Sequence, residues 1–207
     1  MKLFDLDGTL IDSNGIWVDV DLRFLGRHGL TPTEEYTYAV GHSIFPVAAE
    51  FTRDYYGLDL TPEEIMEEWL SMAGDAYAHV PMKEGARDYL SRCARGGERM
   101  AIVTACVPAL CRTALERHGL TDCFEEIVFA QELGLEKRDP QVYRIATERL
   151  RVSPGDCTLY EDAPSNCAAA RLAGMTVVGV YDSFYDSYQE EMRKNSYRYI
   201  RSFTELL

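Results

Sequence analysis

MKLFDLDGTLIDS, residues 1–13, decides the reading of this chain. Met1 to Phe4 is an apolar run long enough for a short buried strand and too short for a helix. Asp5 and Asp7 follow at once, one residue apart, and then the turn pair Gly8-Thr9. Strand side chains alternate in direction, so an extended backbone through Asp7 would point both carboxylates the same way at the strand's C-terminal end. Two carboxylates held together raise each other's pKa and cost stability unless a cation or a reaction uses them. A strand followed by an ordinary Asp-Gly turn is the plain alternative. An EF-hand loop is excluded, because its obligatory sixth-position glycine falls on Leu10.

Beyond this opening the texture divides. Residues 14–82 read as a small helical module. Trp17, Val20, Leu22, Phe24 and Leu25 follow a helical pattern that ends near Gly26 or Gly29, and Thr31-Pro32 and Thr61-Pro62 each give a helix-start signal with acid in the first turn. From residue 83 short apolar strands alternate with helices. Strands are expected in RMAIVTA (99–105), EEIVFA (125–130), DCTLYED (156–162) and MTVVGV (175–180), and a closing amphipathic segment with a last short strand follows. That alternation predicts an α/β fold, a doubly wound parallel sheet covered on both faces. The chain is thus read as a core of 1–13 and 83–207 with a helical insertion at 14–82. Ligands of such sheets bind beyond the C-terminal ends of the strands.

Size and charge narrow the function. The chain has 207 residues, enough for one core and a small accessory domain, and a net charge of −13. That charge speaks against general nucleic-acid binding, which needs Lys and Arg to neutralise phosphates. No apolar run is long enough to span a bilayer and no signal-peptide pattern opens the chain, so it reads as cytoplasmic. Six cysteines without a CxxC pair read as free thiols, and the four histidines lie too far apart to suggest a zinc site. Gly174 to Gly179 has the glycine spacing of a P-loop, but Val180 and Tyr181 stand where Lys and Ser/Thr are required. No GxSxG elbow supports a serine hydrolase.

The strand tips carry the chemistry. In chain order they offer Asp5 and Asp7, Thr104, and Glu161-Asp162, with Lys137 just before the Asp139-Pro140 helix start. Each alone has a bland explanation; their order and combination do not. On these four stations the chain resembles the haloacid dehalogenase superfamily of phosphotransferases, in the branch with a helical cap after the first motif. The DxDGT motif is matched by LFDLDGTLIDS, the hydroxyl motif by Thr104, the lysine motif by Lys137, and the acidic motif by Glu161-Asp162. Arg138 stands where proline is common, and Asn166 where glycine or aspartate is frequent.

The resemblance implies a role for each residue. Asp5 would attack phosphorus and form an aspartyl-phosphate, and Asp7 would act as general acid and base. Mg²⁺ would be held by Asp5, the backbone carbonyl of Asp7 and Asp162, with Glu161 helping through a water. Thr104, the adjacent Ala105 N–H and Lys137 would hold the phosphoryl oxygens. Contacts to the rest of the substrate are expected around Trp17, Gly41, His42 and Ser43. The expected activity is Mg²⁺-dependent hydrolysis of a small phosphorylated metabolite. A phosphoryl mutase of the β-phosphoglucomutase type is the alternative, and it would need a basic residue in the cap, with Arg23, Arg27, His28, His42 and Arg53 as candidates. A non-catalytic binding protein on the same fold is a remoter one, disfavoured because no motif carboxylate is lost. Phosphonate hydrolysis is disfavoured because residues 14–82 contain no lysine. Substrate identity and oligomeric state are not legible.

Overall fold

The computed structural model of the chain describes residues 1–41 and 43–207, so His42 lies outside the described residues. β1 (Lys2–Phe4) lies inside the sheet, paired in parallel with β2 (Met100–Thr104) on one side and β4 (Thr158–Glu161) on the other. β3 (Ile127–Phe129) adds beyond β2, and β5 (Thr176–Val180) and β6 (Arg198–Ile200) beyond β4. The order is β3-β2-β1-β4-β5-β6, and every pairing is parallel.

Alternation along the strands feeds two cores. Leu3, Ala101, Val103, Leu159 and Val177 face one, where they meet helices α7 (Pro140–Arg149) and α8 (Pro164–Ala173). Phe4, Ile102, Tyr160 and Val178 face the other, with α5 (Ala86–Arg95) and α6 (Pro108–Arg117). Phe4 stacks on Tyr160 across the strand pair at 4.6 Å. Both faces are covered, which is why these strands read as unbroken apolar runs. This is the doubly wound α/β sheet expected from the sequence.

Between β1 and α5 the chain forms α1 (Asn14–Arg27), α2 (Glu34–Gly41), α3 (Phe45–Tyr56) and α4 (Pro62–Tyr77). Thr61 starts α4 as its sequence suggests. Its hydroxyl accepts from the Glu64 N–H, the Glu64 carboxylate accepts from the Thr61 N–H, and Pro62 takes the first helical position. The same signal at Thr31 fails. α2 begins at Glu34, and the hydroxyl of Thr33 accepts from the Tyr36 N–H. Thr33 stands directly before Glu34 and Glu35 and so offers the helix a cap followed by first-turn acids. Leu22 also departs from the expected apolar face of α1. It is 52% exposed, while Val20, Phe24 and Leu25 are buried.

The strands of chain entering and leaving this helical stretch run side by side. Ile11 and Met82 form an antiparallel bridge, flanked by Asp12 N–H donating to the Pro81 carbonyl and Lys83 N–H to the Leu10 carbonyl, both at 2.9 Å. α4 packs against α6, so the helices sit over the C-terminal tips of the sheet. Phe24, Trp69 and Tyr77 share one apolar cluster with Phe4 and Ile102. After β5, helical turns at Ser183–Tyr188 precede α9 (Gln189–Asn195) and β6. The six cysteines are free thiols, as expected. Among the described residues no helix is long and apolar enough to cross a membrane.

Candidate active site

Strand register builds the charged centre. Phe4 is level with Tyr160, so Asp5 leaves the sheet beside Glu161, and both continue the face set by Leu3 and Leu159. Helix α7 packs on that face, and its N-cap, Asp139, accepts from the Gln141 N–H. The segment before it delivers Lys137 between the two acids, with Nζ 2.5 Å from Asp5 Oδ1 and 2.6 Å from Glu161 Oε2. Lys137 is only 5% exposed. The other Glu161 oxygen accepts from the backbone N–H groups of Asp162 and Ala163. Glu161 is therefore engaged at both oxygens, and it ties the lysine to the loop that leads into α8.

Asp162 is held from two sides. Thr9 donates to its Oδ1 at 3.0 Å, and Asn14, the first residue of α1, donates to its Oδ2 at 2.9 Å. Gly8 makes this approach possible. Its φ is +76°, and a Cβ there would lie 2.2 Å from Asp162 Oδ2 and 2.3 Å from Asn14 Nδ2. Gly8→Ala is therefore expected to destabilise the fold by about 2 kcal/mol or more. Displacement of Asp162 should also lower the phosphate-ester hydrolysis that the resemblance implies about 100-fold. Urea unfolding and steady-state rates on the purified variant check both.

Three carboxylates, Asp5, Glu161 and Asp162, each place an oxygen within 4.8 Å of the others, all buried. Burial and the neighbouring Glu161 charge push the Asp5 carboxyl up to about 7 despite the opposing pull of Lys137. Burial, Glu161 and Asp5 hold Asp162 well above the usual carboxylate range. Burial would lower the Lys137 ammonium, yet the charges of Asp5 and Glu161 keep it well above its usual value. An excess of hard oxygen donors over the single ammonium is the donor set a divalent cation fits, and such an ion relieves this repulsion.

Asp7 stands outside this three-carboxylate group, although its charge adds to the upward push on Asp5. β1 ends at Phe4, so strand alternation does not govern Asp7, and its carboxyl lines a neighbouring cavity instead. Two hydroxyls donate to its Oδ1, from Ser13 at 2.6 Å and from Tyr77 of α4 at 2.5 Å. The Trp17 indole N–H donates in turn to the Tyr77 oxygen at 2.8 Å. Thr104 is fully buried at the tip of β2, and its hydroxyl accepts from the Cys106 N–H at 2.9 Å. Ala105, next along, lines the cavity beside Asp7.

That cavity, about 190 Å³, opens between the helices and the sheet tips. Trp17, Gly41 and Ser43 lie on its wall, where the sequence placed substrate contacts; His42 lies outside the described residues. Of the candidate basic grips, those among the described residues do not line it. Arg23 pairs with Asp19, Arg27 with Glu68 and Arg53 with Asp54, all on the exposed surface, and His28 packs on Phe24. Ser13, Asn14, Tyr77, Asp21 and Trp69 were not found from sequence. Only the spacing of Asn14, Trp17, Val18 and Asp21, one helical stripe lining the cavity, signalled any of them.

Asp21 is a carboxylate in mostly apolar surroundings, and burial pushes it up to about 6, with the Tyr36 hydroxyl bond at 3.1 Å pulling the other way. A carboxyl raised on folding opposes the folded state once it ionises. Stability is therefore expected to fall as pH rises from the ordinary value of 3.8 to about 6. Asp21→Asn should remove this component. The stability gap between variant and parent should shift by about 2 kcal/mol in the variant's favour across that window, read by urea unfolding at each pH.

Comparison with known proteins agrees with this geometry. Residues 2–180 match the family model for haloacid dehalogenase-like hydrolases. Fructose-1-phosphate phosphatase YqaB of Escherichia coli (strain K12) is 27% identical over 182 residues, covering 86% of this chain and 94% of that protein. A bifunctional riboflavin kinase/FMN phosphatase of Arabidopsis thaliana is 27% identical over 86% of this chain, which spans only 47% of that longer protein. Among solved structures, a variant of CbbY from Rhodobacter sphaeroides in complex with xylulose-(1,5)-bisphosphate superposes with a TM-score of 0.85 at 21% identity, over 99% of this chain and 95% of that one, which shows the fold. With its family model matched from β1 through β5 and its acids, hydroxyl and lysine gathered at the strand tips, the chain belongs to the haloacid dehalogenase-like hydrolases.

Proposed function

We propose that the chain is a Mg²⁺-dependent phosphatase of a small phosphorylated metabolite. One observation carries the reading most: Asp5 lies between a buried ammonium and a buried acidic cluster, beside a cavity wall that presents Asp7 and Ala105. Asp5, Asp162 and the Asp7 carbonyl would hold the cation, with Glu161 behind them, and the residues present fit a hard divalent ion. When bound, the ion neutralises phosphoryl oxygens and lets an anionic ester approach an anionic nucleophile.

The chain's own groups account for the steps. Lys137 holds one Asp5 oxygen, and the other, against Thr9 at 3.4 Å, forms the new bond to phosphorus as the ester P–O bond breaks. Asp7 delivers its proton to the departing alkoxide. It then takes a proton from the water that attacks the aspartyl-phosphate, releasing inorganic phosphate and Asp5. Ser13 and Tyr77 fix the Asp7 carboxyl at the cavity wall for both transfers. Thr104 spends only acceptor capacity on Cys106, so its proton is available to a phosphoryl oxygen, alongside the Ala105 N–H and Lys137.

Helices α1–α4, residues 14–82, serve as the cap that shields the site from water. No lysine or arginine is among the described residues that line the cavity. A mutase must grip a second phosphate, so this wall favours the phosphatase. The relatives that act on phosphorylated small molecules are in keeping with it. Purified protein should hydrolyse 4-nitrophenyl phosphate and members of a phosphometabolite panel with Mg²⁺, and stop on addition of a chelator. Absence of turnover on every ester, with and without the metal, would reject the reading.

A further inference from the structure

On the cap side of the cavity, one carboxylate stands among aromatic rings. Trp17 and Asp21 both line the cavity, and they lie four residues apart on α1, so their side chains are neighbours on one stripe of the helix. The Trp17 indole N–H already donates to Tyr77 at 2.8 Å, so what this residue offers a ligand is ring surface. Phe45 meets Trp17 edge to face at 5.8 Å, and Phe184 reaches the same cavity from the turn after β5. Asp21 Oδ1 accepts from the Tyr36 hydroxyl at 3.1 Å, whereas Oδ2 has no partner among the described residues and remains open to solvent. No lysine, arginine or histidine is among the described lining residues. Burial pushes the Asp21 carboxyl up to about 6, so its charge opposes folding at neutral pH. A charge held at that cost, with one oxygen open beside a cavity, points to a ligand that neutralises it.

We propose that Trp17, Asp21 and Phe45 form a subsite for an organic ammonium carried by the leaving group, methylated rather than primary. Such a cation pairs with the open Asp21 oxygen and lies against aromatic rings whose π charge attracts it. Other occupants fit less well. A second phosphate or a carboxylate would meet Asp21 with no counter-charge on the described wall. A neutral apolar end would strip the remaining water from the carboxylate and give nothing in return. A hydroxyl can donate to Oδ2 but gains little from ring carbon. A divalent metal wants several oxygen ligands, and here aromatic carbon surrounds a single carboxylate. A primary ammonium brings three donors to one open oxygen, whereas methyl groups replace those donors with surface that packs on the rings. Asn14, which bonds Asp162, stands seven residues before Asp21. That is about 10 Å along α1, room for a phosphoryl group, a spacer of about two to four carbons and the ammonium. The substrate class is thus a phosphate monoester of a short, N-methylated amino alcohol. This rests on the phosphatase reading above and adds the substrate class to it.

The test measures kcat/KM of the full chain with Mg²⁺ on alkyl phosphates with spacers of about two to four carbons. Their far ends are trimethylammonium, the uncharged tert-butyl group of the same shape, primary ammonium, hydroxyl or carboxylate. The trimethylammonium ester should exceed its tert-butyl isostere about 10-fold or more and the carboxylate about 100-fold or more. It should also exceed the primary ammonium several-fold. Asp21→Asn and Phe45→Leu should each compress the trimethylammonium-over-tert-butyl ratio several-fold. Ratios within each variant are read, so a loss of folded protein does not imitate the result. Equal turnover of the charged ester and its isostere, preference for the primary ammonium, hydroxyl or carboxylate, or a ratio unchanged in either variant would overturn the assignment. 4-Nitrophenyl phosphate with the unmodified protein separates the two readings. If it is hydrolysed while the series ranks otherwise, the ammonium subsite is wrong and the phosphatase stands; if nothing is hydrolysed, the phosphatase reading falls first.

Discussion

Asp5→Asn is expected to lower phosphate-ester hydrolysis about 10⁴-fold or more, because removing a covalent nucleophile costs rates of that order. The protein should remain folded. Asparagine is nearly isosteric with aspartate, and Lys137 keeps its ion pair with Glu161 at 2.6 Å. The substitution also removes one of three mutually repelling buried carboxylates, so thermal stability without added metal should equal or exceed that of the parent. Two measurements carry the test: steady-state hydrolysis, and intact mass after acid quench, in which the parent alone can show an aspartyl-phosphate adduct. Turnover within about 10-fold of the parent would assign the nucleophile elsewhere.

The centre of this fold is local in sequence, which is why the first 13 residues expose it. A short apolar run, a carboxylate at its end and a glycine in the turn each act through backbone neighbours, and the same holds for the capping box of Thr61 and Glu64. Lys137 and Glu161-Asp162 were legible because parallel strands end at one edge of the sheet, so order along the chain maps to proximity. Other parts depend on contacts distant in sequence. Tyr77 reaches Asp7 from 70 residues away, and nothing near it marks it as other than a core aromatic. Phe184 and Tyr185 come to the cavity through turns set by Asp182, whose side chain accepts from the Phe184 N–H. Two competing threonines near the start of α2 shifted its expected beginning, and Leu22 met solvent because α1 buries a narrower stripe than its apolar pattern implied. The opening pair of acids shows both regimes. Asp5 follows the strand, and Asp7, beyond its end, follows the partners that α4 and Ser13 supply.

Lys137→Met carries the second large effect, and it separates charge from packing. The ammonium is nearly enclosed and contacts Asp5 and Glu161 at 2.5 and 2.6 Å. Methionine fills similar volume, but it leaves Asp5, Glu161 and Asp162 facing one another with no cation from the protein. Removing one partner of a buried ion pair costs about 3–5 kcal/mol, most of it the penalty on the charges left behind. Unfolding by urea without divalent metal should show that loss, and hydrolysis should fall about 10³-fold, since a donor to the transferring phosphoryl group goes with it. If stranded charge is the cause, a second substitution that removes a carboxylate must repair stability. The double variant Lys137→Met/Asp5→Asn should therefore be more stable than Lys137→Met alone, although it gains no activity. A destabilisation below about 1 kcal/mol, or a double variant less stable than the single, would show that the lysine is held by packing and that the acids do not depend on it.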